Sequence, residues 1–171
     1  MKRVSPFMLL LTVLTVLPFY AMGEISVSTS AVAKAKIISA IKLTKVNDLN
    51  FGKIGNGKTG SVMLTPYGDR TSTGIITIGE SGWSPARFEV RGTSDYEYYI
   101  SLPSTVSIKN GDNVLVVNDL VAKPSTSSDE GLIGIVKSDS YFTVGGKLVL
   151  QSADLPTGVY TASFDVSVGY N

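Results

Sequence analysis

The sequence predicts an all-β protein, an antiparallel sandwich or barrel, and three observations carry that prediction. Apolar side chains recur with period two along nearly every stretch after Glu24; turn-forming clusters separate these runs at short intervals; and no segment carries an apolar stripe at helical spacing. Period-two alternation places one side-chain row in a core and the other in solvent, the habit of half-buried antiparallel strands.

The first 23 residues read differently. Lys2 and Arg3 precede an apolar run from Phe7 to Phe19, followed by the helix breaker Pro18 within its end and small residues at Ala21 and Gly23. That layout predicts a cleavable export signal over 1–23, with a mature chain beginning near Glu24. The apolar run is 13 residues long, short of the roughly 20 that span a bilayer as a helix. The expected mature chain of 148 residues suits one domain with a substantial core.

From Glu24 onward, Ile25, Val27, Thr29, Ala31, Ala33, Ala35 and Ile37 occupy successive odd positions, with Ser26, Ser28, Ser30, Lys34 and Lys36 among the even ones. The phase shifts at Ile37-Ile38, so the first dozen residues are expected to form a strand separate from the run that ends at Leu43. Further on, Ala86, Phe88 and Val90 alternate with charged neighbours, and Tyr96, Tyr98, Ile100 and Leu102 alternate with Glu97, Tyr99 and Ser101. Turns are expected at Gly55–Gly57, Tyr67–Asp69, Gly79–Gly82 and Gly92–Asp95, with hairpin dipeptides at Asn110-Gly111 and Gly145-Gly146. The Lys123–Glu130 cluster of Pro, Ser and Asp reads as a longer surface loop. The final stretch, Gly158 to Asn171, is the most regular: Tyr160, Ala162, Phe164, Val166, Val168 and Tyr170 share one face opposite Thr161, Ser163, Asp165 and Ser167.

Composition excludes several functions. Without Lys2 and Arg3 the chain holds 13 basic and 14 acidic side chains with the signs scattered, which argues against nucleic acid as a partner. It has no cysteine, so the core and the backbone ladders must hold it without disulfides. It has no histidine either, which removes the commonest general base, the usual activator of a serine and the usual zinc ligand. No catalysis, cofactor, metal or small-molecule substrate is expected.

Residues 52–59, GKIGNGKT, match the phosphate-loop pattern G-x-x-x-x-G-K-[ST] letter for letter. A working phosphate loop leads into a helix whose N-terminal amides and dipole hold the phosphates. Here the following residues, GSVMLTPYGD, alternate as a strand, so Gly52 to Thr59 is read as a glycine-rich connection and no nucleotide is expected. Asp112, Asp119, Asp129, Glu130 and Asp139 lack calcium-loop spacing and read as solvated loop carboxylates. Asp69-Arg70 is expected to be a turn with a local ion pair. Of the aromatic residues that could stack on a sugar, Tyr96 and Tyr98 share the core face with Ile100, which leaves Tyr99 and Trp83 as the exposed candidates.

Two resemblances add to this reading. Gly158 stands fourteenth from the end and Tyr170 is penultimate, with apolar residues alternating between them; this resembles the C-terminal signature of chaperone-usher pilins. The segments Ala31 to Ile54, Gly60 to Ile78, Ser84 to Pro103 and Thr143 to Asn171, with their D-L-N-F-G and P-x-G-x-R pieces, resemble the bacterial secreted family known as domain of unknown function 4402. The pilin resemblance implies an immunoglobulin-like antiparallel β-sandwich lacking its last strand, with an extended N-terminal arm over 24–36 and the pilin domain over 37–171. A periplasmic chaperone would lend a strand to the open groove until the arm of another fimbrial subunit replaced it, with an outer-membrane usher as the assembly platform and the cell surface as destination. Carried onto this chain, Ile25, Val27, Thr29, Ala31, Ala33 and Ala35 would be the donor side chains. Gly158, Tyr160, Phe164, Val166, Val168 and Tyr170 would form the acceptor and chaperone-contact edge. Seating the arm would bring on the order of 5 to 12 kcal/mol of apolar burial before ordering costs. The chain departs from many pilins in having no cysteine pair and no glycine in the arm. A self-complete secreted or surface sandwich that binds a host or surface glycan, or a protein, is the alternative.

Overall fold

The computed structural model describes residues 26–171. The expected leader, Glu24 and the first donor side chain, Ile25, lie outside the described residues. The chain divides into Met1–Lys36 and Ile37–Asn171. In the first unit, residues 26–36 form neither strand nor helix and are exposed throughout, Val27 at 90% and Val32 at 83%. The strand expected there is absent: alternation supplies an apolar face, but a strand also needs a neighbour to accept its backbone bonds.

The second unit is an all-β antiparallel sandwich. Its strands are β1 (Lys42–Asn47), β2 (Lys53–Ile54), β3 (Gly60–Leu64), β4 (Arg70–Thr73), β5 (Thr77–Ile78), β6 (Ala86–Arg91), β7 (Glu97–Ser101), β8 (Val106–Asn110), β9 (Asn113–Pro124), β10 (Ile133–Ile135), β11 (Tyr141–Leu150) and β12 (Ser167–Tyr170). β11 organises the larger sheet. Its first half pairs with β6 and its second half with β3, while β9 runs along its other edge. β1 extends the sheet beyond β6, β4 beyond β3 and β8 beyond β9. The smaller sheet has the order β10-β7-β12, and β2 and β5 form a separate two-stranded ribbon.

The alternation places the core as expected in β6 and β7, where Ala86, Phe88, Val90, Tyr98 and Ile100 are buried. These residues meet Phe142 and Val144 of β11 in one cluster, which is where the two sheets face each other; the Phe88 and Phe142 rings stack at 5.2 Å. A second cluster gathers Phe51, Val62, Leu64, Leu115, Val117, Leu148 and Leu150 at the other end of the large sheet. Each such side chain contributes about 1.5–3 kcal/mol when fully removed from water.

Several local expectations are corrected. Asn110-Gly111 does turn the chain between β8 and β9, Gly111 at φ +59°. Gly145-Gly146 makes no hairpin; it lies in the middle of β11, where that strand changes partner from β6 to β3. A Cβ on Gly145 would lie 2.2 Å from the Leu64 carbonyl oxygen, so this glycine pair permits a close backbone approach rather than a turn. Asp119 is inside β9, with φ +51° where the register against β11 shifts, and so is not a loop carboxylate. β9 also runs on through Lys123 and the buried Pro124, so the surface loop starts only at Ser125. The C-terminal stretch keeps its two faces but is not one continuous ladder: only Ser167–Tyr170 pairs with β7, and before it Thr161 alone bridges to Lys109.

Candidate functional site: an apolar cleft beside the C-terminal segment

The segment 52–59 leads into a strand, not into the helix that a phosphate loop requires. Gly52 precedes the short strand β2, Gly57 donates its N–H to the Ala153 carbonyl at 3.0 Å, and the chain after Thr59 is β3. Among the described residues there is no helix whose N-terminus could gather a phosphate. What this segment does instead is line a cleft.

The cleft has a volume of about 860 Å³ within the second unit. One wall is the chain from Lys45 to Asn56, the other runs from Leu155 to Phe164, and the floor includes Phe88, Val106, Ile108, Leu115, Val117, Leu148 and Leu150. The floor is the inner face of β8, β9 and β11, put there by the period-two pattern of those strands. Most of the floor side chains are themselves buried, Val117 at 2% and Leu150 at 4%, so the cleft is a slot over a packed apolar floor, the shape of a candidate binding site.

Both walls lack a complete backbone ladder. Along the first, Asn50 exchanges bonds with Ser84 and β2 pairs with β5, which ties the wall outward; along the second, the Thr161–Lys109 bridge does the same. No backbone ladder joins the two walls across the cleft; they meet at one end, where the Asn56 side-chain amide donates to the Leu155 carbonyl at 3.5 Å and the Gly57 N–H to the Ala153 carbonyl at 3.0 Å. An extended segment entering here would find backbone donors and acceptors on its flanks and an apolar floor beneath it.

The residues expected to form the acceptor edge divide into two groups. Gly158, Tyr160 and Phe164 line the cleft. Gly158 has φ +150°, and a Cβ there would lie 2.4 Å from the Asn110 amide nitrogen, so a side chain at this point would disturb the end of the wall. Phe164 bridges the two core clusters, and Tyr160 packs on the first while its hydroxyl donates to the Pro156 carbonyl. Val166, Val168 and Tyr170 pack instead on the second cluster, away from the cleft. All five inward side chains are only half-buried, and Ala162, which also lines the cleft, is exposed.

Tyr170 closes the far end. Its hydroxyl donates to the Ser39 carbonyl at 2.9 Å and accepts the Thr93 N–H at 2.7 Å. The ring contacts Tyr96 edge-on at 5.7 Å, and Gly92 leaves the space its hydroxyl occupies. This is the physical reason for an aromatic hydroxyl at the penultimate position: it ties the last strand to the start of the domain.

Over residues 41–170 the chain matches a family model described as a domain of unknown function, DUF4402. The chain belongs to the DUF4402 family. No curated protein and no solved structure matches it. The two sequence pieces that carried the DUF4402 resemblance meet in space. Arg70, of P-x-G-x-R, donates from Nη1 to the carbonyl of Phe51, of D-L-N-F-G, at 3.1 Å. Its guanidinium also donates to the Gly79 carbonyl at 3.0 Å and stacks 3.9 Å from the Trp83 ring. The expected Asp69–Arg70 ion pair is therefore not the arrangement adopted, because the side chain of Arg70 turns toward these carbonyls. Trp83, expected to be exposed, is half-buried beneath Arg70 and donates its indole N–H to the Gly68 carbonyl at 3.0 Å.

Among the other sites, Tyr99 is 47% exposed, as expected, beside the exposed Ile133. Tyr98 is fully buried with no hydrogen-bond partner for its hydroxyl, and burial pushes its pKa up to about 12. Among the described residues no three His, Cys, Asp or Glu side chains are gathered as a metal site, and no helix is long and apolar enough to cross a membrane.

Proposed function

We propose that this protein is a structural subunit of a bacterial surface fimbria, exported through the periplasm and assembled by donor-strand exchange. The arm of one copy, residues 24–36, fills the cleft between 45–56 and 155–164 of the next. The observation that carries this reading is the cleft itself, an apolar floor between two walls that no ladder joins, in a chain whose residues 26–36 are exposed and form no strand. The occupant required is a strand with one apolar row, and Val27, Thr29, Ala31, Ala33 and Ala35 provide that row. Before assembly the same cleft would be the contact for a periplasmic chaperone, since an open apolar edge otherwise aggregates. An outer-membrane usher completes the set of partners, and no catalytic step is involved.

Two full-length variants test it. Ala33→Asp puts a carboxylate on the donor row and removes donation; Ala162→Trp fills the cleft from an exposed position and removes acceptance. Each alone should remain monomeric where the unaltered chain forms long assemblies, and an equimolar mixture should stop at the dimer, measured by light scattering after chromatography. Assembly by both single variants at the unaltered rate would sink the proposal and favour a self-complete sandwich whose partner is a glycan or another protein.

A further inference from the structure

The first wall of the cleft is poorly supported by its own backbone. Between the end of β1 and the start of β3 it has one isolated bridge, Asn50 to Ser84, the two-residue ribbon β2–β5, which belongs to neither sheet, and two single bonds, Gly55 N–H to the Ile76 carbonyl and Gly57 N–H to the Ala153 carbonyl. A ribbon that short is marginal alone. Leu49 and Ile54 of this wall pack against the floor cluster, and a wall so sparsely bonded would be drawn further over the slot, because collapse removes the remaining apolar surface from water.

Arg70 supplies the missing support. As the first residue of β4 it is held in the large sheet, paired across to the fully buried Leu64. From there its two donor nitrogens reach the Phe51 carbonyl in the wall and the Gly79 carbonyl just after β5, so one side chain grips both strands of the ribbon at their ends. Trp83 fixes the plane of the guanidinium by stacking, and is itself tied to the turn before β4 through Gly68. Gly52, at φ +78°, clears the path: a Cβ there would lie 2.6 Å from Nη1. A planar fork with fixed donors can satisfy two carbonyls and a ring face together, which a lysine ammonium cannot.

We propose that Arg70 is the positioning residue that holds the cleft open and preshaped for the incoming strand. This rests on the donor-strand reading of the cleft and adds that the acceptor is preorganised by a side-chain clamp rather than by a backbone ladder. The expected consequence falls mainly on the rate and tightness of strand uptake, because an occupant entering a collapsed cleft must first reopen it.

The test uses the full-length Ala33→Asp chain as an acceptor that cannot donate, with a labelled synthetic peptide of residues 24–38 as probe. Adding Arg70→Lys should slow peptide uptake by roughly tenfold or more and speed amide exchange over Leu49–Ile54 in the free chain. Trp83→Phe, a milder change that keeps the guanidinium, should produce the same two effects to a smaller extent. Val144→Ala, in the other core cluster, serves as a control for general destabilisation and should leave uptake near that of the parent. Equal uptake by parent, Arg70→Lys and Trp83→Phe overturns the clamp while the donor-strand reading stands. Equal slowing by Val144→Ala and Arg70→Lys likewise overturns it, reducing Arg70 to an ordinary contributor to stability. No uptake by the parent overturns both.

Discussion

The two ends of the C-terminal segment differ although its sequence alternates in the same way throughout. Around Val168 and Tyr170 the segment is laddered to β7, and its inner side chains pack against Val90, Ile100 and Phe142 in a cluster covered by both sheets. Around Tyr160 and Ala162 it has one bridge and borders the cleft. One pattern of residues thus yields a finished half and an unfinished half. What separates them is the kind of facing layer: the strands β7 and β10 cover the second cluster, while the part of the first cluster that floors the cleft is covered by side chains of the two walls, among them Leu49, Ile54, Leu155 and Tyr160, with no laddered strand over it.

Substitutions can break this contrast or sharpen it. The largest effect on the isolated chain is expected at Phe142, fully buried and stacked on Phe88, where Phe142→Ala should cost about 3–5 kcal/mol by denaturant unfolding. Leu150→Ala, in the cleft floor, should cost the free chain about 2–3 kcal/mol, toward the low end for a buried leucine because it borders the cleft, yet weaken peptide uptake strongly. If the two substitutions affected uptake equally, the division into a finished and an open half would be wrong. Tyr170→Phe removes two hydrogen bonds at the closed end and should cost about 1–2 kcal/mol, seen as a lower unfolding midpoint.

The smallest effect belongs to Tyr98. Its buried hydroxyl has no partner, so Tyr98→Phe should be neutral or stabilising by up to about 1 kcal/mol. The unmodified chain should also lose stability in alkali. The hydroxyl titrates near 10 when unfolded and at about 12 when folded, so between those values the unfolded state binds fewer protons and unfolding is favoured as pH rises. The contribution is fully present below about pH 10, and a Tyr98→Phe chain should lack this part of the alkaline slope.

Much of the fold was legible in residue order. Alternation identified the buried rows of β6 and β7 and both faces of the last segment, and Asn110-Gly111 marked a real hairpin. Gly145-Gly146 misled because a glycine that frees a turn and a glycine that admits a neighbouring backbone look alike in one dimension. The cleft was only half legible: Gly158, Tyr160 and Phe164 line it, but the opposite wall, and Arg70 that bonds to that wall at Phe51, were missed. The available signal was the pair of motif pieces, D-L-N-F-G and P-x-G-x-R, whose proximity no spacing rule predicts.

Residue order alone determined the secondary-structure type, the side each strand buries and the absence of histidine and cysteine chemistry, because these depend on local periodicity and on composition. Only the tertiary structure decided which buried face borders the cleft, where Tyr170 ties the chain, and that Arg70 turns from its neighbouring carboxylate to carbonyls distant in sequence. Those outcomes depend on which layers meet, and a backbone group or an apolar face takes its partner from whatever the fold brings within reach.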